Sequence, residues 1–324
     1  MKQAQFEQRY RPGWQQLENQ LQQLEALRVR KRDKISLDGF LDQYRQLCHQ
    51  LALSTERAYS LELQQYLNDL VLRAHRQLYR YNPPLMARLG NFLAREFPRA
   101  VRRQWRWHLI SFLCFSLSLA FTWTLVQQNP DMIYSMVDEN GITQIEDMYL
   151  PERTAEHTRD SGDDVMMFGH YIQNNIGIAF RTFAGGLLLG IGALLVELFN
   201  GAFFGAIAAH LLNAGAGEPF FSFVITHGAP ELTAIMLSGG AGLRLGWAIL
   251  VPGPMSRLAA LRLAARDALP VMYGVFCLLL LAAFIEAFWS PRQLDVSIKY
   301  TVGSCGWLAL YLYLFLGGRR GAGE

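Results

Sequence analysis

From residue 107 onward the chain alternates long apolar runs with short polar breaks, whereas the first hundred residues carry apolar positions only at helical spacing. The runs are Trp107–Val126, Ile176–Val196, Phe199–Leu212, Phe220–Leu237, Leu269–Phe288 and Tyr300–Leu316. Several reach the ~20 residues that a helix needs to cross ~30 Å of hydrocarbon. A soluble core would need this many uninterrupted apolar helices only in a much larger domain. In front of them, Trp14, Leu17, Leu21, Leu24 and Leu27 share one helical stripe, as do Phe40, Tyr44 and Leu47 behind a candidate N-cap, Ser36. A third stripe, Leu63, Leu67, Leu70 and Ala74, is stopped by Asn82-Pro83-Pro84. The pattern predicts an all-α membrane protein: about six transmembrane helices plus a broken or re-entrant segment, with an N-terminal cytosolic helical bundle.

Charge orients the spans. Residues 1–106 hold 19 Lys and Arg against 10 Asp and Glu, and residues 127–175 hold ten acidic residues against Arg153 and Arg159. Arg95, Arg99, Arg102, Arg103 and Arg106 precede the first run, and Arg257, Arg262 and Arg266 precede the fifth. Positive residues stay on the cytoplasmic side. Both termini are therefore predicted in the cytoplasm of a bacterial inner membrane. The divisions are a basic cytosolic helical domain over 1–106, a first transmembrane helix over 107–126, and an acidic extracytoplasmic loop over 127–175. A multispanning domain over 176–316 and a cytoplasmic tail over 317–324 follow. The polar N-terminus has no signal-peptide pattern, so the first run reads as an uncleaved span. The loop has turn-prone Asn129-Pro130, Asn140-Gly141 and Ser161-Gly162, and its acidity lacks EF-hand spacing. The four cysteines show no paired spacing, so neither a disulfide framework nor a zinc ribbon is expected. The scattered basic residues accompany no nucleic-acid motif; topology and anionic lipid account for them. No cofactor and no metal are assigned.

Small residues suggest where helices touch. Gly186 and Gly190, and Gly201 and Gly205, have the G-x-x-x-G spacing that lets membrane helices approach closely, and Gly185 widens the first face. Such faces serve packing within one chain or a homodimer. Asn174 and Asn175 read as outer caps of the second span, and Asn200 with Glu197 as its inner turn. Arg181 is placed about 9 Å below the outer surface at the helical rise, in one layer with His227, with Glu231 slightly deeper. Charges at such depth are costly and are expected to face inward and pair. Asn174, Asn175, Arg181, Asn200, His227 and Glu231 are thus the candidate pocket. "THGAPE" (226–231) reads as a break between two half-helices, because Pro230 lacks an N–H and suits a first turn. On that reading His227 and Glu231 need not share a face, and residues 241–252 are a short re-entrant or interfacial segment. The polar layer is open to three uses: a structural ion-pair network, a binding or transport site, or a catalytic site.

"NNIGIAFRTFAGGLLLGIGALLVELFNGAFFGA" followed by "THGAPELTAIMLSGGAGLRLG" resembles the stage II sporulation protein M family of integral membrane proteins. "YLNDLVLRAHRQLY" is similar to the cytosolic region of longer members. The motif positions carried over are Asn174, Asn175, Gly185, Gly186, Asn200, Gly201, His227, Gly228, Glu231 and Leu232. For the sporulation member the resemblance implies a membrane component that gathers cell-wall-degrading partners; this chain adds a long front and a large acidic loop. Three functions follow: an envelope scaffold that recruits envelope or cytosolic partners, a transporter or lipid translocator, and an intramembrane enzyme. H-E-x-x-H, G-x-S-x-G and P-loop patterns are all missing. Membrane lipids and a second copy of the chain are the expected partners, and no catalytic residue is assigned.

Overall fold

The apolar stripes of the first eighty residues become the core of a three-helix unit. The computed structural model describes residues 2–26, 39–80, 85–150 and 161–319, and these are helical with no strand among them. Helices α1 (Gln3–Ala26), α2 (Phe40–Glu56) and α3 (Leu61–Arg80) form one compact unit with residues up to Arg88. Phe6, Trp14, Leu17, Leu21 and Leu24 meet Phe40, Leu47, Leu63, Leu67, Leu70 and Ala74, all buried. Trp14 Nε1 donates to Gln50 Oε1 at 2.6 Å, so the largest ring in this core keeps a polar partner. Around the edge, Tyr66 donates to Glu18 at 3.1 Å and Arg73 reaches Glu25 at 3.0 Å. Leu27, Ser36 and Asn82-Pro83-Pro84 lie outside the described residues.

The second unit begins at Leu89. Helix α4 (Leu85–Asn91) runs through one π-helical turn (Phe92–Glu96) into α5 (Phe97–Arg103), which leads directly into α6 (Trp105–Gln128). A 3₁₀ turn (Pro130–Ser135) and α7 (Glu139–Tyr149) follow. The remaining helices are α8 (Ser161–Gly185), α9 (Ile191–Asn213), α10 (Gly217–Leu250), α11 (Arg257–Phe288) and α12 (Val296–Leu316). Among the described residues four helices, α6, α9, α10 and α11, are long and apolar enough to cross a membrane. Together with the family assignment below, this makes the chain a membrane protein. Helices α8 and α12 complete a six-helix bundle around α10, which packs against each of the other five.

The expected break in α10 is absent. The helix runs 34 residues from Gly217 to Leu250 with Pro230 inside it. Proline removes one backbone donor and frees one carbonyl, a defect that neighbouring helices and hydroxyl side chains can absorb in a membrane domain. Residues 241–250 are accordingly the last turns of α10, with no separate re-entrant segment. At the helical rise α10 spans about 51 Å, more than a bilayer's hydrocarbon core.

A second correction concerns the turn between α8 and α9. The predicted span Ile176–Val196 straddles it: α8 ends at Gly185 and α9 starts at Ile191. The linking residues are apolar, so hydropathy does not mark them. Gly190 takes the left-handed conformation (φ 84°) that ends the turn. A side chain on Gly186 would overlap the Gly242 backbone of α10, and one on Gly246 would overlap the turn at Gly190. Gly201 and Gly205 lie against the Phe115 and Leu119 carbonyls of α6, so that small face is used within the chain.

The acidic loop is substantially ordered. Asp138 caps α7 by accepting from Gly141 N at 3.1 Å, which puts Asn140-Gly141 inside a first turn. Ser161-Gly162 likewise opens α8. Ile133 and Ile142 pack on Val126, Ala206 and Ala209, and Glu146 meets His210 at 3.0 Å. At the opposite end, Arg102 donates to the Leu314 and Gly317 carbonyls, both at 2.6 Å, satisfying orphan acceptors at the end of α12. Arg103 and Arg244 both pair with Asp267.

Candidate polar centre at His227, Glu231 and Glu286

Because α10 is continuous, His227 and Glu231 lie one turn apart on the same face, with Nε2 3.5 Å from Oε2. Glu286, near the end of α11, brings Oε1 to 3.9 Å from the same nitrogen. One ligand atom from each of the three residues lies within 4.8 Å of the others. His227 is 3% exposed and Glu286 8%. The Phe223 ring stands edge-on to the imidazole, its centroid 5.0 Å away.

Ser290, just past α11, holds the far side of the ring: its Oγ is 3.1 Å from His227 Nδ1 and also touches Thr226 Oγ1. Ser290 Oγ donates to the Ile285 carbonyl, and Lys299 of α12 donates to the Ser290 carbonyl at 2.9 Å. Hydroxyl, imidazole and carboxylate thus occur in the order of a nucleophilic triad. Ser290 is nevertheless fully buried, and its hydroxyl serves to orient the ring.

The other expected pocket residues are elsewhere. Arg181 lies four residues from the end of α8, and its Nε donates to the Gly177 carbonyl at 3.1 Å. The carbonyls of Thr182 and Phe183 lie against Gly242, fifteen residues past His227 on α10, so Arg181 does not share the His227 layer. Asn174 and Asn175 are interior to α8 and bond to each other at 3.0 Å. Asn200 lies within α9, where it donates to its own Val196 carbonyl. Glu286 and Ser290 were not singled out in the sequence. The available signal was one carboxylate in the apolar run "LLLLAAFIEAFW".

A second polar group lies further along α10. Gly239 and Gly240 carry no side chains, and into that space project Glu197 of α9 with Ser111 and His108 of α6. All three are buried, with Ser111 Oγ beside the Glu197 carboxyl and the His108 ring beside the Leu237 backbone. Gly239 is eight residues past Glu231, about 12 Å along the helix.

Residues 4–80 match a domain of unknown function (DUF8413). No curated protein and no solved structure matches the chain. Residues 111–291 match the family described as stage II sporulation protein M. That stretch exceeds half of the 324 residues and contains Ser111, Glu197, His227, Glu231, Glu286 and Ser290. The chain belongs to the stage II sporulation protein M family.

Proposed function

We propose that this family member is a bacterial inner-membrane protein with six crossings and both termini in the cytoplasm, acting as an assembly platform for an envelope complex. The observation that carries this reading is the ordered cap formed by residues 130–149. The cap is seated on α6 and α9 through Ile133 and Ile142, yet leaves Tyr134 51% and Met148 56% exposed. Exposed apolar side chains on this acidic cap are contacts that a protein partner would cover. A second copy of the chain is among the partners, joined through surfaces other than the Gly201 and Gly205 face.

Photo-crosslinking residues placed at Tyr134 and Met148 in cells test the reading. Discrete adducts with one protein, or with the chain itself, are expected at both positions. Adducts to lipid alone would overturn it. With Cys114, Cys277 and Cys305 replaced, Met148→Cys should react with an impermeant thiol reagent in intact cells while Cys48 stays protected, and the reverse pattern would overturn the topology.

A transporter or lipid translocator is the second reading, favoured by the half-buried carboxylate of Glu231 and the buried one of Glu286 within the membrane domain. Flux by the purified chain in proteoliposomes, lost on Glu231→Gln, would replace the platform reading with this one.

A further inference from the structure

The geometry points to a divalent transition-metal site of the zinc type, bound by His227 Nε2, Glu231 and Glu286 with the fourth position left to solvent or substrate. Metal binding is measured at equilibrium, without partner or flux, so its failure leaves both readings above where they stand.

The hydrogen bonds around the ring suit the tautomer that a metal site needs. Thr226 Oγ1, Ser290 Oγ and His227 Nδ1 form one connected group, and Ser290 Oγ donates to the Ile285 carbonyl. In the tautomer that binds a metal, Nδ1 keeps the proton and donates it to Ser290 Oγ at 3.1 Å, which leaves the lone pair on Nε2. That lone pair points toward carboxylate oxygens at 3.5 and 3.9 Å. Three electron-rich atoms converging in a buried place repel one another, and a cation between them reverses the sign of every contact.

The spacing suits a small cation. Tetrahedral zinc with bonds of about 2.0–2.1 Å separates its ligand atoms by about 3.3–3.4 Å, close to the 3.5 Å between His227 and Glu231 and inside the 3.9 Å between His227 and Glu286. One imidazole and two carboxylates suit zinc, manganese or ferrous iron, and the absence of sulfur argues against copper(I). Two carboxylates neutralise a divalent ion, so the loaded centre carries no net charge, which a low-dielectric interior tolerates far better than paired anions. The bond from Nδ1 to Ser290 Oγ is the outer support that metal-bound imidazoles ordinarily have. Arg181, the cation expected there from the sequence, is held at the Gly177 carbonyl instead.

The test uses the full chain, purified in detergent without chelator and exposed to zinc chloride, with manganese(II) as competitor. Metal analysis should find about one zinc per folded chain, and X-ray absorption should show only nitrogen and oxygen neighbours at about 2.0–2.1 Å. His227→Ala, Glu231→Gln and Glu286→Gln should each weaken zinc binding at least about tenfold, whereas Glu218→Gln, an exposed carboxylate at the start of α10, should leave it unchanged. Ser290→Ala retains all three ligands and should weaken binding by about 10–100-fold through loss of ring orientation. Should the ligand variants fail to fold, the absorption spectrum of the unaltered chain and the Ser290→Ala titration decide. Zinc that survives the triple variant, sulfur among its neighbours, or a folded chain that binds neither metal would each overturn the site.

Discussion

His227 Nε2 and Glu231 Oε2 approach to 3.5 Å across one turn of a helix that Pro230 does not interrupt. The proline costs a backbone hydrogen bond without redirecting the chain, and a histidine and a carboxylate are thereby aimed at a third residue, Glu286. Their coupling is consequently local to α10 and α11.

This locality is measurable. In a double-mutant cycle, Arg181→Gln and Glu231→Gln should add within about 0.5 kcal/mol, because the two share no partner. His227→Ala and Glu286→Gln should instead couple by about 0.5–3 kcal/mol. Thermal unfolding of the purified variants reads both cycles. Strong coupling to Arg181 would show that the α8 boundary is wrong.

Pro230→Ala separates the continuous helix from a hinged one. Restoring the missing N–H recovers part of the ~3 kcal/mol that interior proline costs relative to alanine, while the smaller side chain leaves a small void. The net change should stay within about 1 kcal/mol, and function should persist. A large loss of function with the fold intact would reinstate a working hinge.

Gly201→Leu and Gly205→Leu should block folding of the single chain, since a side chain at either position meets an α6 carbonyl. The expected loss exceeds the ~1–3 kcal/mol of ordinary overpacking, because backbone cannot move aside as a side chain can. Gly306→Ala, with no atom within 4 Å of an added methyl, should be neutral or slightly stabilising. A monomer that tolerates Gly201→Leu and loses only self-association would assign that face to a dimer.

Glu197 offers the opposite test. Burying a polar group whose hydrogen bonds are incomplete costs about 1–3 kcal/mol, so an apolar residue of similar volume in its place relieves that cost. Glu197→Met should therefore raise the unfolding temperature while impairing cellular function. Destabilisation would mean that Glu197 supports the bundle.

In the N-terminal unit, burial first and the Glu18 hydrogen bond second push the Tyr66 phenol up to about 12 from an ordinary value of 10. A raised value means that folding favours the protonated form, so the contribution is complete below about pH 10 and disappears as pH rises to about 12. Helicity of residues 1–88, followed against pH, should fall over that window. Tyr66→Phe should flatten the fall.

The sequence allowed some of this to be read and concealed the rest. The stripe Leu63, Leu67, Leu70 and Ala74 was visible because a soluble helix contrasts buried with wet positions every 3.6 residues. In the membrane domain that contrast disappears: both faces of α9 are apolar, so the turn at residues 186–190 reads as more helix. Arg181 therefore reads as a neighbour of His227, whereas its turn of α8 packs beside Gly242. Proline and glycine at 228–230 signalled a break that tertiary packing overrode. His227 and Glu231 stood out as ionisable residues in hydrocarbon, whereas Glu286 gains its meaning only from a helix 55 positions away in sequence.

The two bonds from Arg102 to the last turn of α12 join residues 212 and 215 positions apart. Closing so long a loop is entropically unfavourable until the intervening helices have shortened it by packing. During synthesis Arg102, like Arg99 with its bond to the Gly318 carbonyl, must therefore wait until the chain through α12 has been made and folded back. Until then the nascent bundle is unlatched, and quality-control proteases have their longest access to it.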